Sequence, residues 1–207
     1  LQNHNNLIQC FIYHTISLLN KHFLTGNFSD GLLLVEGIEE KLKEYEIYLD
    51  RHRILVIYYK IASMYFGTGN YETTIDYLNK IINWKVDLRN DLQCYARLLH
   101  LIAHYELGNY QLLEYLAKSV YRFMAKMQNL SVVEEEMFKF LRKALTLNTR
   151  QLKPEFEKLL GKLKKFENKR FETRAFMYLD IISWLESKIN NVPVQQIIQQ
   201  KYLLRKG

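Results

Sequence analysis

Two histidines four residues apart, His100 and His104 in "HLIAH", are the first pair in this chain whose spacing could do chemistry. On a helix they share one face, a separation that two ligands of a zinc site can use. Leu101 stands where the metalloprotease motif carries its glutamate, and no third ligand is evident. Cys10 and His14 repeat the spacing, again alone. We therefore expect satisfied histidines on a helix surface and no metal. Glu134, Glu135 and Glu136 are consecutive, so they point in different directions around a helix and cannot act as a carboxylate pair. Following Ser131, they suit a first helical turn, where acidic side chains offset unpaired N–H groups and the macrodipole. Gly67 and Gly161 belong to no phosphate-cradling pattern, and no nucleophile elbow is present. The expectation is a protein that is not an enzyme and takes no cofactor.

Charge is the second lead. The formal net charge of +7 is uneven: residues 1–138 carry 13 Lys and Arg against 16 Asp and Glu, and residues 139–207 carry 16 against 6. Lys158, Lys162 and Lys165 fall on one helix stripe, with Lys164, Lys169, Arg170 and Arg174 nearby. Such a cluster could contact phosphates, but reading bases usually needs an inserted helix or stacking aromatics as well. Phe156, Leu159, Leu160 and Leu163 occupy the opposite face and read as core. A solvated helix face is the simpler account. Non-specific contact with nucleic acid stands as the alternative to a protein partner.

The elements that must position these residues are announced by a recurring phrase. "FLTGNFSDG", "YFGTGNYETT" and "YELGNYQLL" place Gly-Asn-aromatic at Gly26, Gly69 and Gly108, spaced by 43 and 39 residues. Ile54, Ile57, Tyr58, Ile61, Ala62 and Tyr65 before the second phrase recur at steps of three and four, as do Tyr71, Ile75, Leu78, Ile81 and Ile82 after it. Each phrase is then a turn between two amphipathic helices. Gly supplies a positive φ, Asn tolerates the turn, and the aromatic starts the next helix and can wedge between the pair. The periodicity predicts helices near residues 6–24, 29–48, 52–67, 71–85, 89–107, 110–127, 131–147, 153–166, 170–190 and 193–203, with Pro154 in a first turn. A unit of helix, turn and helix at this period indicates a helical solenoid.

Ala62, Tyr65, Gly69, Tyr71, Ile75 and Leu78 resemble the tetratricopeptide repeat, with a small residue and an aromatic in the first helix and then Gly-x-Tyr. Thr74, Leu113 and Gly31 stand where that family usually has alanine, the closing proline is absent, and the units exceed the usual 34 residues or so. The resemblance implies an all-α, right-handed solenoid of antiparallel helix pairs with about 9–10 helices. Its units fall near 6–48, 52–85, 89–127 and 131–167, with capping helices over 170–203, the last covering the exposed end of the stack. It also implies a concave surface lined by first helices. Tyr13, Asn20 and Phe23 would come from the first unit, Tyr59, Ser63 and Phe66 from the second, and Tyr95, Ile102 and Tyr105 from the third. Such a groove suits an extended peptide or a helix held by apolar anchors. The Lys and Asn with which some of these domains grip a free carboxyl terminus would fall at Ile16 with Asn20, Tyr59 with Ser63, and Leu98 with Ile102; only Asn20 fits, so no such clamp is expected.

Hydrophobic residues at 48% suffice for one continuous core across the 207 residues. No apolar run approaches the roughly 18 residues of a membrane span. Two cysteines do not make a disulfide framework, which points to a reducing, cytoplasmic compartment. The expected role is that of a non-catalytic protein-interaction scaffold or sensor module, part of a longer protein. A regulatory helical domain of that protein is the other alternative.

Overall fold

A computed structural model describes residues 2–84, 90–127, 130–167 and 180–206. Among these residues the chain is all-α, without a strand. The helices are α1 (Gln2–Thr25), α2 (Phe28–Leu32), α3 (Val35–Glu44), α4 (Arg51–Gly67), α5 (Tyr71–Ile82), α6 (Asn90–Glu106) and α7 (Tyr110–Lys126). They continue with α8 (Val132–Ala144), α9 (Thr149–Leu163), α10 (Ile181–Asn190) and α11 (Val194–Lys206). From α4 onward, helices joined by described turns pack on one another in chain order, and α4 also packs on α1, α2 and α6.

The Gly-Asn-aromatic phrase works by ending one helix and starting the next with the same residues. Gly26, Gly69 and Gly108 have φ of 68°, 85° and 72°. At the second turn Asn70 N–H donates to the Tyr65 carbonyl at 2.9 Å and Gly69 N–H to Phe66 at 3.0 Å, which satisfies carbonyls the helix leaves open. Asn109 and Gly108 repeat both bonds onto His104 and Tyr105. Asn27, Asn70 and Asn109 are then the N-cap residues of α2, α5 and α7. Only Asn70 uses its side chain as the cap, accepting from Thr73 N–H at 3.1 Å. The aromatics differ in depth: Phe28 is buried, Tyr71 meets Phe66 edge-on at 5.3 Å, and Tyr110 is exposed.

Two helices depart from expectation. The helix foreseen over 29–48 is divided into α2, α3 and a short 3-10 turn at Glu46–Tyr48. Leu33 and Leu34 N–H bond three residues back, to Asp30 and Gly31, which tightens the chain between α2 and α3. Helix α9 starts at Thr149 rather than near 153, because Asn148 and Gln151 form a reciprocal capping box with both bonds at 3.2 Å. Pro154 therefore lies in the second turn, where its ring removes a helical donor, and not in the first. Of the helix expected over 170–190, residues 168–179 lie outside the described ones, and what is described is the cap residue Asp180 and the helix Ile181–Asn190.

The last described helix reaches back to the first. Helix α11 packs on α10 and also on α1, so it joins the final helix pair to the opening one. At the junction, a Cβ on Gly26 would lie 2.6 Å from Gln199 N and 2.7 Å from Gln195 O, both backbone atoms of α11. Ser29 Oγ adds a hydrogen bond to Gln195 Oε1 at 3.2 Å. At Gly69, by contrast, a Cβ would meet nothing within 4 Å. Gly69→Ala is therefore expected to cost about 1 kcal/mol from its positive φ alone. Gly26→Ala should lose roughly 1–3 kcal/mol more, because α11 must shift. Urea midpoints of the two variants measure the difference, and equal losses would show that the α11 contact is not a close one.

Candidate functional site

A cavity of about 850 Å³ opens between α1, α4 and α11. Helix α1 contributes Ile16, Asn20, Phe23 and Leu24; α4 contributes Arg53, Val56, Tyr59, Lys60 and Ser63. Helix α11 supplies Ile198, Lys201, Tyr202 and Arg205, while Leu92, Glu167 and Asp180 complete the lining. These positions follow from helical geometry. Ile16, Asn20 and Phe23 step by four and three along α1, and Val56, Tyr59, Lys60 and Ser63 do so along α4, so each set faces one way.

The cleft is apolar along its walls and cationic in its polar groups. Lys60 Nζ donates to Asn20 Oδ1 at 2.6 Å and lies 5.9 Å from the Phe23 ring centroid. Burial lowers the pKa of its ammonium. Arg53 sits 5.3 Å from the Tyr13 ring centroid, and Ser63 Oγ donates to the Tyr59 carbonyl at 2.8 Å. Lys201 is already engaged, with Glu186 Oε2 at 2.7 Å and Ser183 Oγ at 2.8 Å. Asp180 caps α10, accepting from Ser183 N–H at 2.8 Å and from its hydroxyl at 2.6 Å.

Four of the nine residues expected in a groove, Asn20, Phe23, Tyr59 and Ser63, line this one cleft. The others lie elsewhere. Tyr13 is exposed beside Arg53 and outside the lining. Phe66 is buried at a smaller cavity of about 310 Å³ that it shares with Tyr71 and Lys188. Tyr95, Ile102 and Tyr105 belong to the core. Tyr105 packs within a box of rings, 6.3 Å from Phe140, 6.5 Å from Phe156 and 6.4 Å from Trp184. That box joins α6, α8, α9 and α10. Beside it Glu106 accepts from Trp184 Nε1 at 2.6 Å and from Lys188 Nζ at 2.7 Å.

The sequence reading missed Lys60, Arg53 and the whole α11 wall. Counting back from each turn glycine located Tyr59 and Ser63, and Lys60 is the very next residue on the same helix face. Asn20, expected as the one matching member of a carboxylate grip, does meet a lysine, but at that neighbouring position.

The remaining candidates have structural surroundings. His104 is buried rather than on the surface, with its Nδ1 3.1 Å from Asn109 Nδ2. The His100 ring is 4.5 Å from it, and burial, with His104 and Arg97 close by, pushes the His100 pKa down to about 4. Burial lowers the His104 pKa as well. Among the described residues no third His, Cys, Asp or Glu joins them as a metal group. Cys10 and His14 are exposed. Glu134 is buried and forms a capping box with Ser131, whose N–H it accepts at 2.9 Å.

The basic stripe is partly neutralised. Lys162 pairs with Glu136 at 2.5 Å and Lys164 with Glu186 at 2.9 Å; Lys158 and Lys165 are exposed. Lys169, Arg170 and Arg174 lie outside the described residues. Among the described residues no helix is long and apolar enough to cross a membrane. The chain matches no family model, no curated protein and no solved structure.

Proposed function

We propose that this chain is a non-catalytic interaction module that holds an extended segment of a partner protein in the cleft between α1, α4 and α11. One observation carries the reading: Asn20 and Phe23 of α1 meet Tyr59 and Ser63 of α4 around one open cavity of about 850 Å³. That size falls within the roughly 300–1,000 Å³ of small-ligand sites, and its apolar walls with a few convergent polar groups suit recognition rather than bond-making. An open cleft walled by three helices admits an extended chain held by apolar anchors. The same proposal takes the helix pairs as a divergent tetratricopeptide-like array, a right-handed superhelix working in a reducing, cytoplasmic compartment. The ion pairs of Lys162 and Lys164 weigh against the basic stripe as the main contact surface.

A cleft-filling variant tests this. Short random peptides displayed on phage are selected against the full chain, and the retained peptides are measured on two variants. Val56→Trp fills the cleft; Tyr115→Ala alters an exposed residue on α7. Val56→Trp is expected to weaken binding at least about tenfold, in keeping with loss of a central anchor site, with helicity retained. Tyr115→Ala should change it little. Peptides that bind equally well to the Val56→Trp protein would remove the cleft as the working surface.

A further inference from the structure

Among the described residues, the other half-buried lysines are matched with carboxylates. Lys188 meets Glu106 at 2.7 Å and Lys201 meets Glu186 at 2.7 Å, and both lysines are half-buried. Lys60 breaks the pattern. Half-buried in the cleft, it has the Asn20 amide oxygen at 2.6 Å, and no carboxylate within ion-pair distance among the described residues. A cation removed from water without a counter-charge is costly, and burial accordingly lowers its pKa.

The surroundings extend the imbalance. Arg53 and Arg205 also line the cleft with no ion-pair partner among the described residues. Of the two lining carboxylates, Asp180 is occupied in capping α10, and Glu167 is exposed. The Lys60 contact has a second effect. It fixes Asn20 with its oxygen toward the ammonium, which leaves the Asn20 –NH2 as a donor beside it. An ammonium and an amide –NH2 side by side match the two oxygens of one carboxylate. Phe23, Val56 and Ile198 supply apolar surface around them.

We propose that the cleft selects a peptide segment carrying an internal aspartate or glutamate, whose carboxylate seats on Lys60 Nζ and the Asn20 amide while apolar neighbours rest on Phe23, Val56 and Ile198. This rests on the reading of the cleft as a peptide site. The acid is a side chain within the segment, so recognition requires no free carboxyl terminus.

The test uses the displayed peptides, which are fused at their carboxyl ends and offer no free terminus. Retained peptides should share an acidic residue at a fixed distance from apolar ones. Changing that acid to its amide, or changing Lys60→Met, should each weaken binding by roughly tenfold or more, the effect of a hydrogen bond to a charged group. Making both changes should cost little more than either alone, because they remove the same contact. Without peptide, Lys60→Met should melt at or above the temperature of the parent chain, since it removes a desolvated charge. Cleft-dependent peptides with no acidic preference, or with binding unmoved by Lys60→Met, would overturn the carboxylate inference and leave the peptide site standing. A selection that yields no peptide sensitive to Val56→Trp would overturn both.

Discussion

Glu106→Ala is expected to destabilise the protein by about 1–3 kcal/mol, the cost of leaving the Trp184 indole N–H and the half-buried Lys188 ammonium without their acceptor. The Glu106 side chain is only 5% exposed and receives both Lys188 Nζ and Trp184 Nε1. Its removal strands an ammonium and an indole N–H together, at the point where α10 meets the end of α6. The loss should appear as a lower urea midpoint with little change in slope. Glu106→Gln keeps an acceptor for Trp184 and should cost less. Adding Lys188→Met to Glu106→Ala should recover part of the loss, because the stranded charge goes with it. A Glu106→Ala protein with an unchanged midpoint would mean that α10 is not held this way.

Gly67→Ala should be nearly as damaging, and for a steric reason. A Cβ at Gly67 would lie 2.2 Å from two carbons of the Phe28 ring, and Phe28 is itself fully buried. The ring has no room to retreat, so an overpacking cost of roughly 1–3 kcal/mol follows, before the gain in helix propensity that alanine brings. Phe28→Leu, destabilising by itself, should relieve that clash, so the double variant should be more stable than the sum of the single losses implies. Strict additivity in denaturant midpoints would rule out the ring-on-glycine contact.

These two sites show where the sequence was legible. The 3.6-residue period and the Gly-Asn-aromatic turns identify α1 and α4 to α7 closely, since both signals are local. Asn148 with Gln151 was an equally local signal for the true start of α9, passed over in favour of Pro154. Contacts between distant residues left no such mark. Gly67 reads as one more helical residue until Phe28 is placed on it, and Glu106 as a surface acid until Trp184 arrives.

The cleft was legible in part for the same reason. A register counted from the turns finds the open side of α1 and α4, but the faces of α6 that carry Tyr95, Ile102 and Tyr105 are buried, so these residues had no groove to face. The α11 wall depends on a return of the chain to its own beginning, which periodicity does not encode.

That return gives the molecule an order of events. During synthesis the segments emerge from first to last, so α1 and α4 are available to pair long before α11 exists. The contact of Gly26 with Gln195 and Gln199 spans most of the chain, and such distant closures form late. A growing polypeptide therefore carries two walls of the cleft with Lys60 open to water, and acquires the third only when the last helix is complete. Until then its lysine is hydrated and its walls lie open to the solvent. The cleft is whole only once α11 has joined α1.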